Sequence, residues 1–473
     1  MYTTTIAINK LAPWHGKSGF FVYFMKNLYK TFNIAFLFIL IGAIACQYAY
    51  CLRVSSSFQG RETKDFCKKA LEIYWDKLLR DFINKGQYPF DYEASTLLCN
   101  FEFIKRILKG ETVMPPEIEI HPSSRCNKFC RYCIGNDGRG EPGLLLERDV
   151  FLSLVEDAHA YNSMQVNPDL RIRRLRFTGI RGEPLVNPAT TEAMQKAIDY
   201  GFEVGLVTNG ILLTDKVRQV IVKGKFIQIS LNAATPETFS RDSHVTANIF
   251  YKTVDNVKKL VKLKREMRTN LEIGLSFVIT TENYKEIPEF VRLAKELEVD
   301  YARLRAPEGS ITGTISNVQW KEIDAYLEEL KKLEDSSFKI LLTDATEKGV
   351  FTPDFKFCPA HSLLGFIGPD HNIYPCTHVE HRAHRSFGSL KIASFQDIWG
   401  SQARKKFIQE FNPQEMCPSC LTGQSRLNRF LIFLMQEYNR DSGFLQWLEK
   451  WVKDYKHLQP KTFVGSIAAS TSL

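Results

Sequence analysis

The chain has 473 residues, with 24% charged and 44% hydrophobic side chains and a formal net charge of +9. It is long enough for two or three domains with buried cores, and its composition excludes a low-complexity chain. The charge does not mark a nucleic-acid binder: Lys10, Lys17, Lys26, Lys30, Arg53 and Arg61 supply six bases without an acid in residues 1 to 61, and no basic stripe with interleaved aromatics follows.

In chain order, the first feature is "FNIAFLFILIGAIACQYAYCL", residues 32 to 52, an uncharged run of mostly apolar residues. About twenty such residues span the roughly 30 Å hydrocarbon core as a helix. The bases in front of it favour a cytoplasmic N-terminus, and "AIACQYA" offers small residues at a signal cleavage site. Against export stand eleven cysteines, several arranged like metal ligands that must stay reduced. The expectation is a catalytic domain in the cytoplasm, anchored to the membrane through residues 32–52. A secretory signal, a buried helix and an overextended reading-frame start are the alternatives for residues 1–60.

From Glu62 the chain turns globular, and "KDFCKKALEIYWDKLLRDFI" has apolar residues at helical spacing, a helical lead-in over 61–115. Strand-like runs then recur at 117–121, 171–177, 202–208, 226–231, 271–279 and 300–305, each followed by a helix-like segment. Six such units imply a parallel α/β sheet, an open doubly wound sheet or a partial barrel, with ligands at the carboxyl ends of the strands. Unusual residues collect at those ends: Cys126, Cys130 and Cys133 after the first run, "FTGIRGEPLVNP" after the second, "TNG" after the third and "SLNAA" closing the fourth. Beyond about residue 325 the alternation stops. Hairpin-like pieces such as "GFIGPDHNIYPC" and four more cysteines follow, then amphipathic helix over 426–473.

Three thiolates complete neither a structural zinc site nor a fully ligated four-iron cluster, so one position stays open. A zinc reading recruits His121 as the fourth ligand. Cys358, Cys376, Cys417 and Cys420 form a complete set of four, which by itself reads equally as a zinc ribbon. Cys46, Cys51, Cys67 and Cys99 show no ligand spacing and read as core or membrane residues.

The C-x3-C-x2-C loop of Cys126, Cys130 and Cys133, with Tyr132 before the last cysteine, resembles the radical S-adenosylmethionine (SAM) superfamily. The resemblance covers residues 116 to 425. It implies a partial (β/α)6 TIM-like barrel over 116–325, after a helical N-terminal extension. It also implies a [4Fe-4S] cluster on the three cysteines, with SAM on its open iron. An electron through that cluster cleaves SAM to a 5'-deoxyadenosyl radical, which abstracts hydrogen from a substrate C–H bond. Gly182, Glu183 and Pro184 match the segment that binds the methionine amino group of SAM. Ser230 and Asn232 are candidates for its ribose or carboxylate side, and Arg303 or Arg305 for its carboxylate.

The later cysteines, with "GFIGPDHNIYPCTH" and "SFQDIWGS", resemble a small C-terminal SPASM or twitch auxiliary domain over 326–425. That implies a second, auxiliary [4Fe-4S] cluster on Cys358, Cys376, Cys417 and Cys420. His378, His381 and His384 just beyond Cys376 are candidates for binding an anionic substrate or moving protons. The expected substrate is a peptide or protein side chain, with a sugar or other small metabolite as the alternative. The expected reducing partner is a flavodoxin or ferredoxin. A non-enzymatic zinc-binding structural module is the competing class, and a paralogue that no longer binds SAM is a third reading.

Overall fold

The computed structural model describes residues 92–133, 143–179, 182–305, 315–343, 352–377, 385–417, 420, 422–441 and 443–455, with five positions between 69 and 76. The chain divides into two compact units, residues 1–78 and 79–473. The apolar run 32–52 lies outside the described residues, as do His378, His381 and His384. Among the described residues no helix is long and apolar enough to cross a membrane.

The second unit opens with α1 (Tyr92–Cys99) and α2 (Phe101–Leu108). α2 buries Phe103, Ile104, Ile107 and Leu108 on one face. The repeated part then runs β1 (Glu117–Ile120), α3 (Arg148–Met164), β2 (Arg174–Phe177), α4 (Ala189–Asp199), β3 (Glu203–Thr208), α5 (Asp215–Ile221) and β4 (Phe226–Ser230). It continues with α6 (Pro236–Ser243), α7 (Asn248–Met267), β5 (Glu272–Val278), α8 (Ile287–Glu296) and β6 (Tyr301–Arg305). All five pairings between these neighbours are parallel. Side-chain caps mark where strand-end loops turn into helix: Thr214 accepts from the Val217 N–H at α5, and Thr235 from the Thr238 N–H at α6.

The sheet continues past residue 325, where the sequence pattern fades. After α9 (Asn317–Leu330), β7 (Lys339–Thr343) adds in parallel to β6. On the other edge, β8 (Leu364–Ile367) pairs in parallel with β1, and β9 (Asn372–Tyr374) and β10 (Gly388–Ser389) follow antiparallel. Among the described residues ten strands therefore form one sheet, in the order β10-β9-β8-β1-β2-β3-β4-β5-β6-β7. The four-cysteine region thus grows out of the same sheet as the three-cysteine loop. Beyond it lie α10 (Phe395–Gly400), α11 (Gln402–Glu410), α12 (Thr422–Arg440) and α13 (Phe444–Tyr455), with α12 packed against α1 and α2.

Alternation along the strands sorts side chains into two faces. Ile118, Ile120, Leu175, Phe177, Val204, Leu206, Ile227, Ile229, Ile273 and Leu275 join the main apolar core under the helices. The opposite, inner face carries Phe226 and Tyr301, packed with Val207 and Leu341. Two glycines make this possible: a Cβ on Gly205 would fall 2.2 Å from the Phe226 ring, and one on Gly274 2.0 Å from the Tyr301 ring.

Beside these aromatics the inner face is ionic. Arg174 pairs with Glu117 at 3.0 Å and Glu203 at 2.8 Å, and Arg176 pairs with Glu117 at 2.9 Å and with Glu119. His121 Nε2 lies 2.7 Å from Glu119 Oε1. Such buried charges persist because each is paired.

Candidate functional site

The three-cysteine loop leaves β1 at the carboxyl rim of the sheet and is held by three neighbouring strand ends. From β2, the Glu183 N–H donates to the Arg125 carbonyl, the residue before Cys126, at 2.8 Å. From β3, the Asn209 amide donates to Asn127 Oδ1 at 2.6 Å and lies 4.0 Å from Cys126 Sγ. Beyond β4, the carboxyl end of α6 receives the N–H groups of Phe129 and Arg131 on the carbonyls of Ser243 and Asp242, at 3.0 and 2.9 Å. Cys130 Sγ lies 3.8 Å from Ser243 Oγ.

Gly182 shows how tightly this is assembled. A Cβ there would sit 1.9 Å from the Ser123 carbonyl oxygen, so only glycine lets the β2 segment press against the loop that carries the cysteines. Glu183 next to it is fully buried and acts as a brace. Its Oε1 accepts from the Thr208 hydroxyl at 2.6 Å and the Leu185 N–H at 3.1 Å, while Oε2 accepts from the Asn209 N–H at 2.7 Å. Burial pushes its carboxyl pKa up, and the donors from Asn209, Thr208 and Leu185 pull against that. One side chain thereby ties the second and third strand ends together beneath the loop.

The remaining expected residues fall on the next strands. Ser230, Ser276 and Arg303 are in register across β4, β5 and β6. Arg303 is buried on the inner face and donates to Gln228 Oε1 at 3.0 Å. Asn232 adopts a left-handed conformation, φ 60°, and its Oδ1 accepts the Val278 N–H at 2.9 Å, locking β4 to the end of β5. Arg305 pairs in register with Val278 one step further out.

Asn209 and Thr208 were visible only as a "TNG" at a strand end, and their part in holding the cysteine loop follows from the fold. His121 Nε2 faces Glu119 Oε1 at 2.7 Å.

The thiols themselves show what they are built to hold. Burial, with the charges of Glu183, Cys130 and Cys133, pushes the Cys126 thiol up to about 11, against the Lys128 N–H that lowers it. A thiolate ligand forms when a metal cation replaces the thiol proton. Among the described residues no three His, Cys, Asp or Glu side chains gather closely enough to share one ion. An iron–sulfur cluster asks for less convergence, because each thiolate holds a different iron. Cys126, Cys130 and Cys133, three soft donors on one short loop at the strand rim, are a donor set that fits such a cluster.

The second set is similar. Cys358 caps the short helical turn Pro359–Ser362. Burial pushes its thiol up while the Asn428 amide and the N–H groups of His361 and Ala360 pull it down. Cys420 is buried, and its thiol is pushed up by burial and by the charges of Cys358 and Cys417. Cys376 stands just past β9.

A parallel sheet whose carboxyl rim holds three open-site thiols, extended by a strand pair leading to four more, defines an iron–sulfur enzyme of the partial-barrel class. The profile of the Radical SAM superfamily matches residues 120–294, and that of SPASM, an iron-sulfur cluster-binding domain, matches residues 358–421. The chain belongs to the radical SAM superfamily and carries a SPASM domain.

Among similar proteins, the tungsten-containing aldehyde ferredoxin oxidoreductase cofactor-modifying protein of Pyrococcus furiosus is 26% identical over 317 residues, 63% of this chain and 84% of that one. The PqqA peptide cyclase of Granulibacter bethesdensis is 24% identical over 330 residues, covering 65% and 80%. The mycofactocin maturase MftC of Mycobacterium tuberculosis is 23% identical over 308 residues, covering 62% and 73%. The family assignment removes the zinc-module reading: this is an enzyme that uses a SAM-binding [4Fe-4S] cluster and an auxiliary iron–sulfur centre.

Proposed function

We propose that Cys126, Cys130 and Cys133 hold the SAM-binding cluster, that Cys358, Cys376, Cys417 and Cys420 hold the auxiliary one, and that the substrate is a peptide or protein side chain. The bound cluster supplies the electron that cleaves SAM reductively to a 5'-deoxyadenosyl radical, which takes hydrogen from a substrate C–H bond. The protein's own part is positioning. Gly182 and Pro184 present backbone toward the methionine end of SAM, with Glu183 as the buried brace behind them. Asn232 and Ser230 flank the fourth strand end, and Arg303 with Arg305 puts positive charge on the sixth for the SAM carboxylate.

One observation carries the reading: the three-cysteine loop is fastened at the rim by the Gly182–Glu183 segment and by Asn209. The peptide assignment rests on the relatives named for peptide cyclisation and maturation. The domain division follows the same logic, with a barrel core over 116–325, an auxiliary domain over 326–425 and a helical tail over 426–473. The electron donor is a low-potential one-electron carrier such as a flavodoxin or ferredoxin.

The test is anaerobic reconstitution with dithionite and SAM. About eight iron and eight sulfide per chain, four for each cluster, are expected. Cys126→Ala and Cys420→Ala should each remove roughly half of the iron, and only the first should abolish 5'-deoxyadenosine outright. Formation of 5'-deoxyadenosine by Cys126→Ala at the wild-type rate would end the cluster assignment. Turnover of sugars or other small metabolites, with candidate peptides left unmodified, would end the peptide assignment.

A further inference from the structure

Between the first two cysteines of the loop stands a lysine that the proposed function leaves unused. Lys128 is 4% exposed, and among the described residues its Nζ has no hydrogen-bond partner. It lies 4.2 Å from the centre of the Phe239 ring on α6. A lysine buried without an acceptor is costly, and a cation–π contact offsets only part of that cost. Cys126 and Cys130 flank it in the loop, each two residues away. Among the described residues no salt bridge is made by it, so the fold places an amine in the cysteine loop with no carboxylate partner there.

We propose that Lys128 is the built-in counter-charge of the first cluster, a positioning residue that raises the potential at which the cluster accepts an electron from a low-potential one-electron donor. Each thiolate brings a negative charge and reduction adds another. In a site walled by Phe239 and the loop backbone, a fixed positive charge opposes that accumulation with little screening. The inference rests on Cys126, Cys130 and Cys133 holding the cluster, and it adds to that reading the one-electron couple as the property Lys128 sets.

The test compares Lys128→Met, which keeps the length and apolar stem, with Lys128→Arg, which keeps the charge, in full-length reconstituted protein. Iron and sulfide are counted first. The reduced cluster is then titrated against ambient potential by electron paramagnetic resonance, following the signal that changes when SAM is added. Lys128→Met is expected to lower the ratio of reduced to oxidised cluster at a fixed potential at least tenfold, about 59 mV for a one-electron couple, with Lys128→Arg close to wild type. If Lys128→Met loses iron while Lys128→Arg keeps it, the charge is needed to hold the cluster, which supports the proposal. A fully loaded Lys128→Met with an unchanged titration overturns it, as does loss of iron in both variants, which makes the lysine a packing element. Wild-type protein without a SAM-responsive signal would instead refute the cluster assignment, so the two failures are told apart.

Discussion

Replacing Glu183 by glutamine changes one atom and tests the brace directly. The carboxylate accepts from Thr208, Leu185 and Asn209, and the amide can accept at only one end. With its NH2 in place of Oε2, it meets the Asn209 N–H, 2.7 Å away in the wild type, as donor against donor. With the NH2 in place of Oε1 it meets the Leu185 N–H instead, 3.1 Å away in the wild type. A lost hydrogen bond to a charged group is worth about 1.5–3 kcal/mol and a stranded buried N–H about 1–3 kcal/mol. Relief of the desolvated charge offsets part of this, leaving a net loss of about 2–4 kcal/mol at the junction of the second and third strand ends. If about 2 kcal/mol of it must be restored before SAM binds, the Kd rises about thirtyfold. The assay is equilibrium dialysis of SAM on anaerobically reconstituted protein, with thermal denaturation alongside. SAM affinity within threefold of wild type, together with an unchanged Tm, would refute the bracing argument.

Gly182→Ala drives a methyl group to 1.9 Å from the Ser123 carbonyl oxygen, and neither backbone yields easily. The variant should lose at least tenfold in SAM affinity and retain less iron after gel filtration, which an unchanged iron count would contradict. On the inner face, Gly274→Ala puts a Cβ 2.0 Å from the Tyr301 ring, an overpacking that costs about 1–3 kcal/mol. Its Tm should fall, and Tyr301→Leu in the same chain should restore part of the loss; a Tm equal to wild type in the single variant tells against the packing argument.

His371 tests pH dependence. Its Nε2 accepts the Glu147 N–H at 3.0 Å, which requires the neutral ring, and burial with the Lys391 charge pushes its pKa down. A histidine lowered in the fold stabilises above its unfolded pKa of about 6.5. That stability is lost as pH falls through the lowered value. Tm measured from about pH 7.5 to about pH 5 should therefore fall more steeply in wild type than in His371→Gln, and parallel curves would contradict the assignment.

Much of the site was legible locally. The C-x3-C-x2-C spacing needs only a few consecutive residues, and a loop of that length brings its own ligands near one another in almost any fold. The six strands of the core were legible too, because buried parallel strands between amphipathic helices leave short apolar runs at regular intervals. β7 was not, since "KILLT" is a single short run beyond the point where the alternation fades. Nor was the pairing of β8 with β1, because strands more than two hundred residues apart carry no shared periodicity.

What the amino-acid order determined by itself was the chemistry of the ligands and the alternation of strand and helix, both set by neighbours a few positions apart. Only the tertiary structure decided that Glu183 spends all its listening oxygens on Thr208, Leu185 and Asn209, that His121 answers to Glu119, and that Lys128 lies against Phe239 beneath the loop. The contacts of Glu183 with Thr208 and Asn209, and of Lys128 with Phe239, join segments far apart in the chain, and burial, which sets the strength of them all, is a property of the folded whole.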